Sequence, residues 1–267
     1  MPPRPDMPPS GAHAPPPPGC LRLRLLIAYD GCAFEGWQSQ PSGNTVQDVL
    51  ERAVATLAGH RCPVHGSGRT DAGVHAAGQV AHVDVPSARL HLNAWLGALN
   101  GHLPRTVRVL RAQRASGKFH ARFSASGKVY TYRLWCHRVM DPMEIGRAWH
   151  VPTPLDPTIL RSAAAMLCGT HDFAAFAANR GKPEESTVRT IHEIALKKTG
   201  PLWTLKFEGN GFLYRMVRLL TGSLVRVAQG KADQAWLEAL LHKPGGARTS
   251  YCAPAEGLSL KRVLYRR

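Results

Sequence analysis

The chain changes hydrophobic period early, and this limits the folds open to it. Residues 21 to 25 read Leu-Arg-Leu-Arg-Leu, the two-residue alternation of a strand with one buried face. Asp30-Gly31 then breaks the run, and Val46, Val49, Leu50, Ala53, Val54 and Leu57 recur at helical spacing. Thr45 stands before that stripe with Asp48 three residues later, a capping-box pattern. Pro63 to Gly66 lead into a glycine-rich turn, and Gln79 to Val85 read as a strand. A helix is expected over Leu92 to Leu99 and a strand over Val107 to Leu110.

The alternation of elements resumes near Lys128. Val129 to Cys136 reads as a strand and Asp156 to Leu167 as a helix. Strands follow at Thr187 to Leu196 and at Trp203 to Phe207, where Trp203, Leu205 and Phe207 share a face. A long helix is expected from Phe212 to Val227, a short one near Ala235, and a last strand from Leu258 to Tyr265. Residues 1–19 are dominated by proline, which removes backbone donors and favours extended conformations, so this tail is expected to be disordered. The chain thus divides into a tail over 1–19 and two α+β units, over 20–118 and 119–267.

Lysine and arginine number 34 against 18 acidic residues, a formal charge of +16. Such a surplus attracts polyanions and points to nucleic acid or an anionic surface as partner. The longest apolar runs are interrupted by arginines and fall short of the roughly 20 residues needed to span a bilayer, so no membrane association is expected. The N-terminus lacks an apolar signal segment. The six cysteines are scattered, and neither His60 with His65 nor His75 with His82 has the spacing of a ligand pair. A cytoplasmic protein without a metal is expected.

Gly66-Ser67-Gly68-Arg69-Thr70-Asp71-Ala72-Gly73-Val74-His75-Ala76 is the most distinctive segment. Its glycines permit sharp bends and close approach of a ligand, and the arginine beside the carboxylate favours the ionised form. On these residues alone Asp71 is either a nucleophile or base, or the cap of a structural turn. No Gly-Lys-Ser/Thr follows, so this is not a phosphate loop. A metal-dependent nucleotide hydrolase would need further acids close by, and none occurs before Asp84. On the expected long helix, Arg215, Arg218 and Arg226 gather on one side, opposite Met216, Val217, Leu220, Leu224 and Val227. That basic side is either solvated or turned toward a phosphate backbone or a carboxylate. Tyr130 and Tyr132 share a strand face and serve either as core or as a stacking platform for an unpaired base. Phe119-His120-Ala121-Arg122-Phe123, just upstream, mixes aromatic and cationic groups as single-strand binding surfaces do.

Taken together, these segments resemble the TruA-type tRNA pseudouridine synthases. Gly68 to His75 is similar to the family's active-site signature. Tyr29-Asp30-Gly31, Gly36-Trp37-Gln38 and Thr45-Val46-Gln47 resemble its opening block, and Phe119-His120-Ala121-Arg122 precedes Lys128-Val129-Tyr130-Thr131-Tyr132 at the family spacing. His171-Asp172-Phe173, Arg189-Thr190-Ile191, the stretch from Phe212 to Arg218, and Pro254 to Leu258 match later blocks. The likeness runs from about residue 21 to 265.

The resemblance implies an α+β fold of two ferredoxin-like (RRM-like) subdomains sharing a continuous, mostly antiparallel sheet, with the active-site cleft between them. It implies isomerisation of uridine at positions 38, 39 and 40 of the tRNA anticodon stem-loop, by a homodimer and without cofactor. Asp71 is then the nucleophile, Arg218 its partner, and Tyr130 the ring against the target base. Arg69, His75, Phe119, Arg122 and Arg215 are the expected substrate-binding residues. The rival is a non-catalytic basic RNA-binding protein.

Overall fold

The polar side of the opening alternation is built differently from a solvated strand face. In the structure, a computed structural model that describes residues 14–89, 91–179, 181, 186–242 and 248–266, the alternation lies on strand β1 (Cys20–Tyr29). Leu23, Leu25 and Ile27 are fully buried. Arg22 is buried as well: it donates to both carboxylate oxygens of Asp84, at 2.8 and 2.7 Å, and to the carbonyls of Gly117 and Phe119. Arg24 lies over the rings of Phe119 and Tyr265.

Helix α1 (Val46–Ala58) follows, with Thr45 accepting the Asp48 amide and donating to its carboxylate. Strands β2 (His65–Gly66) and β3 (His75–Pro86), helix α2 (Leu92–His102) and strand β4 (Val107–Arg114) complete the first half. The second half contains β5 (Ala125–Trp135), β6 (Trp149–His150), α3 (Pro157–Met166), β7 (Gly169–Asp172), β8 (Val188–Thr199) and β9 (Leu202–Gly209). It ends with α4 (Met216–Ala228), α5 (Gln234–His242) and β10 (Leu258–Tyr265).

One open, mostly antiparallel sheet runs in the order β4-β1-β3-β10-β5-β9-β8-β7, with β2 on β3 and β6 on β5. Both halves repeat the same wiring. In the first, β1-α1-β2-β3-α2-β4 places β1 between β4 and β3, with β2 beyond β3. In the second, β5-α3-β8-β9-α4-β10 places β5 between β10 and β9, with β8 beyond β9. This is the split βαβ, or ferredoxin-like, arrangement twice over. The halves join where β10 runs parallel to the first residues of β3, pairing Ser259 with His75 and Leu260 with Ala76. On its other side β10 pairs Leu260 with Tyr130 and Leu258 with Tyr132. The seam therefore lies next to the loop that precedes β3, which carries Asp71.

Two expectations change. Residues 1–13 of the proline-rich tail lie outside the described residues, but 14–19 are laid against the fold. The Ala14 carbonyl accepts from Arg22, and Pro16 abuts Gly117. The long helix begins at Met216, because Arg215 before it adopts a left-handed backbone, φ 58°.

Candidate active site

Asp71 sits in the loop between β2 and β3, and the residues around it fix the loop's backbone. The Trp37 amide donates to the Thr70 carbonyl at 3.0 Å, and the Tyr29 hydroxyl shares a buried 2.8 Å hydrogen bond with the Thr70 hydroxyl. Gly36 has φ +98°, and a Cβ there would lie 2.7 Å from the Thr70 carbonyl oxygen. At the base of the loop Gln79 is fully buried, accepts from the Ser67 hydroxyl at 2.7 Å and donates to the Gly68 carbonyl at 3.0 Å. Tyr29 is held as a neutral phenol, its pKa raised by burial. The blocks Tyr29-Asp30-Gly31 and Gly36-Trp37 are thus the mould of the Asp71 loop.

The partner of Asp71 comes from the other half of the chain. Arg218, in the first turn of α4, donates from Nε to the Ala253 carbonyl at 2.8 Å and brings Nη1 to 3.4 Å from Asp71 Oδ2. The two side chains are only 14% and 15% exposed, so the pair is weakly screened by water. The Ala253 amide returns a hydrogen bond to the Arg218 carbonyl. Close packing of α4 on the same segment leaves no room for a side chain at Gly222, where a Cβ would fall 1.9 Å from the Tyr251 oxygen. The helical wheel placed Arg218 and Arg226 on a basic side, and neither is simply solvated: Arg226 lies over the Tyr251 ring at 4.1 Å.

A cleft of about 1470 Å³ opens over Asp71. Arg69, Asp71, Arg122, Tyr130 and Arg215 all line it. Tyr130 is 8% exposed, and Phe212 meets it edge to face at 5.2 Å. Arg122 and Arg215 lie over the rings of Phe123 and Tyr214. Arg215 alone among the described non-glycine residues has positive φ. Such strain persists where the surroundings enforce it, and it clusters at functional sites.

Two expected substrate-binding residues stand elsewhere. His75 does not line the cleft. Its Nδ1 accepts the Gly31 amide at 3.1 Å, and its Nε2 lies 2.9 Å from the Gly146 carbonyl and 3.1 Å from that of Glu256. These contacts make it a brace between the two halves. Phe119 packs against Tyr265 and under Arg24, away from the cleft lining. Asp30, Cys32 and His75 bring potential metal-ligating atoms within 4.8 Å of one another, a grouping that sequence spacing hid. His75 already has both nitrogens engaged, and the Cys32 thiol donates to the Gly146 carbonyl at 3.3 Å. The trio reads as packing.

Sequence reasoning singled out neither Lys128 nor Phe212 for the site, though both line the cleft. Lys128 stands two residues before Tyr130 on β5 and so shares its face. That period was the available signal.

A family model described as tRNA pseudouridine synthase matches residues 25–124 and 163–266. The chain belongs to this family. The matched segments carry both members of the Asp71–Arg218 pair. Among curated members of the tRNA pseudouridine synthase family, the tRNA pseudouridine synthase A of Akkermansia muciniphila is 47% identical over 251 residues, covering 91% of this chain and 95% of its own. That of Methylacidiphilum infernorum is 43% identical over 242 residues, covering 91% and 94%. The Bacillus licheniformis protein of the same name is 41% identical over 247 residues, covering 92% and 99%. The match thus spans nearly the full length of each of these relatives.

Proposed function

We propose that this chain is a tRNA pseudouridine synthase that isomerises uridine at positions 38, 39 and 40 of the anticodon stem-loop, with Asp71 as the nucleophile. The observation that carries the reading is the Asp71 carboxylate on the cleft, 3.4 Å from Arg218 and beside the same cavity as Tyr130. The tRNA substrate and the activity are supported by family membership and by the names of the relatives. Homodimeric assembly across one tRNA and a cytoplasmic location belong to the same reading and rest on family likeness. Among the described residues no helix is long and apolar enough to cross a membrane.

The chemistry asks little beyond what the cleft holds. The N1–C1′ bond breaks and a C5–C1′ bond forms. The proton on C5 is lost and N1 gains one, so the atoms balance with nothing oxidised and no group imported. Asp71 acts either by adding to the nucleotide or by assisting glycosidic cleavage. Arg218 orients it through a contact between opposite charges. Tyr130 packs on the base, and Arg69, Arg122 and Arg215 meet the RNA. A uridine within a stem must first leave its stack, at a cost of a few kcal/mol, which phosphate contacts in a basic cleft offset.

Asp71→Ala separates this reading from that of a non-catalytic RNA-binding protein. Tritium release from tRNA carrying 5-labelled uridine is expected to vanish while tRNA binding persists. Substantial residual release would overturn the assignment of Asp71.

A further inference from the structure

The arginines along the cleft already direct their charge somewhere. Arg52 donates to the Gly43 carbonyl, Arg61 pairs with Glu51, and Arg189 donates to the carbonyls of Ser186 and Val188. Arg122 and Arg215 lie over aromatic rings, and Arg218 holds Asp71. Lys128 differs. Among the described residues its side chain lines the cleft without a hydrogen bond, ion pair or ring contact. Its side chain is partly buried on the cleft wall, and the charged group acting on it is a second cation, Arg122. Its neighbours in the sheet are Gly209 on β9 and Val263 on β10, neither of them ionisable.

The ammonium lies against the signature loop. A Cβ at Gly68 would fall 2.3 Å from Lys128 Nζ, so the absence of a side chain there leaves room for this cation at the root of the Asp71 loop. Even partial removal from water makes a cation without a counter-charge costly, and neither strand neighbour offers an acid to relieve it. The missing partner is therefore an anion from the substrate. In RNA the formal negative charge is on the phosphodiester, whose two unesterified oxygens suit a pair of neighbouring cations.

We infer that Lys128, together with Arg122, binds the backbone phosphate of the nucleotide that enters the cleft beside Asp71 and Tyr130. The inference rests on the reading of an RNA substrate given above, and it adds the contact that fixes the reacting nucleotide's backbone. Lys128 is a binding and positioning residue. It has no part in the bond changes.

The test is equilibrium binding of an anticodon stem-loop RNA to the full chain across a salt series, with Lys128→Gln and Lys128→Arg beside the wild type. A second RNA carries an uncharged methylphosphonate at the target nucleotide. Lys128→Gln is expected to weaken binding about tenfold or more, as loss of a charge-assisted contact does. It should also reduce the slope of log affinity against log salt by about 0.7 to 0.9. Lys128→Arg should stay near wild type. The methylphosphonate should penalise the wild type by a similar factor and Lys128→Gln by less, through the Arg122 contact that remains.

Burial, and secondarily Arg122, push the Lys128 pKa down to about 8. Wild-type affinity should therefore decline as pH rises through that value, while Lys128→Arg, charged throughout, stays level. Wild-type affinity and salt slope in Lys128→Gln would overturn the inference. So would an undiminished methylphosphonate penalty in that variant, or a wild type indifferent to the methylphosphonate, which tests the point even if Lys128→Gln fails to fold. The two readings fail separately. Wild type that binds as described but releases no tritium sinks the synthase assignment alone, and active enzyme with an inert Lys128→Gln sinks this one alone.

Discussion

Three glycines near Asp71 meet three different obstacles when a methyl group is added, and the differences say what each one does. At Gly31 a Cβ would sit 2.1 Å from the Val74 carbonyl oxygen, so backbone would have to move. At Gly36 the obstacle is again backbone, the Thr70 oxygen at 2.7 Å, and the residue also holds φ +98°, which side chains disfavour. At Gly68 the obstacle is the far end of Lys128, a flexible side chain that can swing away. Gly36→Ala is therefore expected to cost about 1–3 kcal/mol of stability and to displace the Thr70–Asp71 backbone, lowering tritium release. Gly68→Ala should leave the urea midpoint near that of wild type yet weaken RNA binding, because it evicts the ammonium. Equal midpoints for the two variants in a urea titration would contradict this division between a glycine that shapes the loop and one that accommodates a cation.

At the scale of elements, α1 shows why some structure is legible in sequence. Its start is written in two residues, since Thr45 satisfies the Asp48 amide and Asp48 accepts from the Thr45 hydroxyl. Thr45→Ala should accordingly cost about 1 kcal/mol, read as a lower urea midpoint at an unchanged m value. The apolar stripe places Val46, Leu50, Ala53 and Val54 in the core. The start of α4 was not legible in this way: residues 212–215 continue the helical pattern, and the left-handed φ of Arg215 that ends it reflects tertiary constraint. Strands β2 and β6 are two residues long, and β7 is four, too short for any period to register. Period reports which residues share a face, but not what that face meets. Tyr130 was thus legible as a face-sharing ring, and Arg22 was legible as polar but not as buried on Asp84. His75 and Phe119 lie close in sequence to cleft residues, but sequence proximity did not place them in the cleft lining. The meeting of Asp71 with Arg218 spans 147 positions and was expected only through family likeness.

For the molecule as a whole, the decisive quantity is the formal charge of +16, set beside a cleft whose cations include Arg69, Arg122, Lys128, Arg189 and Arg215. Each phosphate that such a surface neutralises releases condensed counterions, so affinity falls linearly with salt on a log–log plot. If about six phosphates are met at about 0.7 ions each, the slope has a magnitude near four, and affinity drops a few hundred-fold between about 50 and 200 mM salt. A slope of magnitude below about one, in filter binding or fluorescence anisotropy with tRNA, would remove the electrostatic basis of substrate capture. The Asp71→Ala enzyme sharpens the test. Asp71 contacts Arg218 and not a cation free to meet phosphate, so its removal should leave the slope where it was. Losing one negative charge from the cleft should hold affinity level or raise it. Capture by the whole charge distribution and chemistry by a single carboxylate would then separate in one variant, with binding retained and turnover gone.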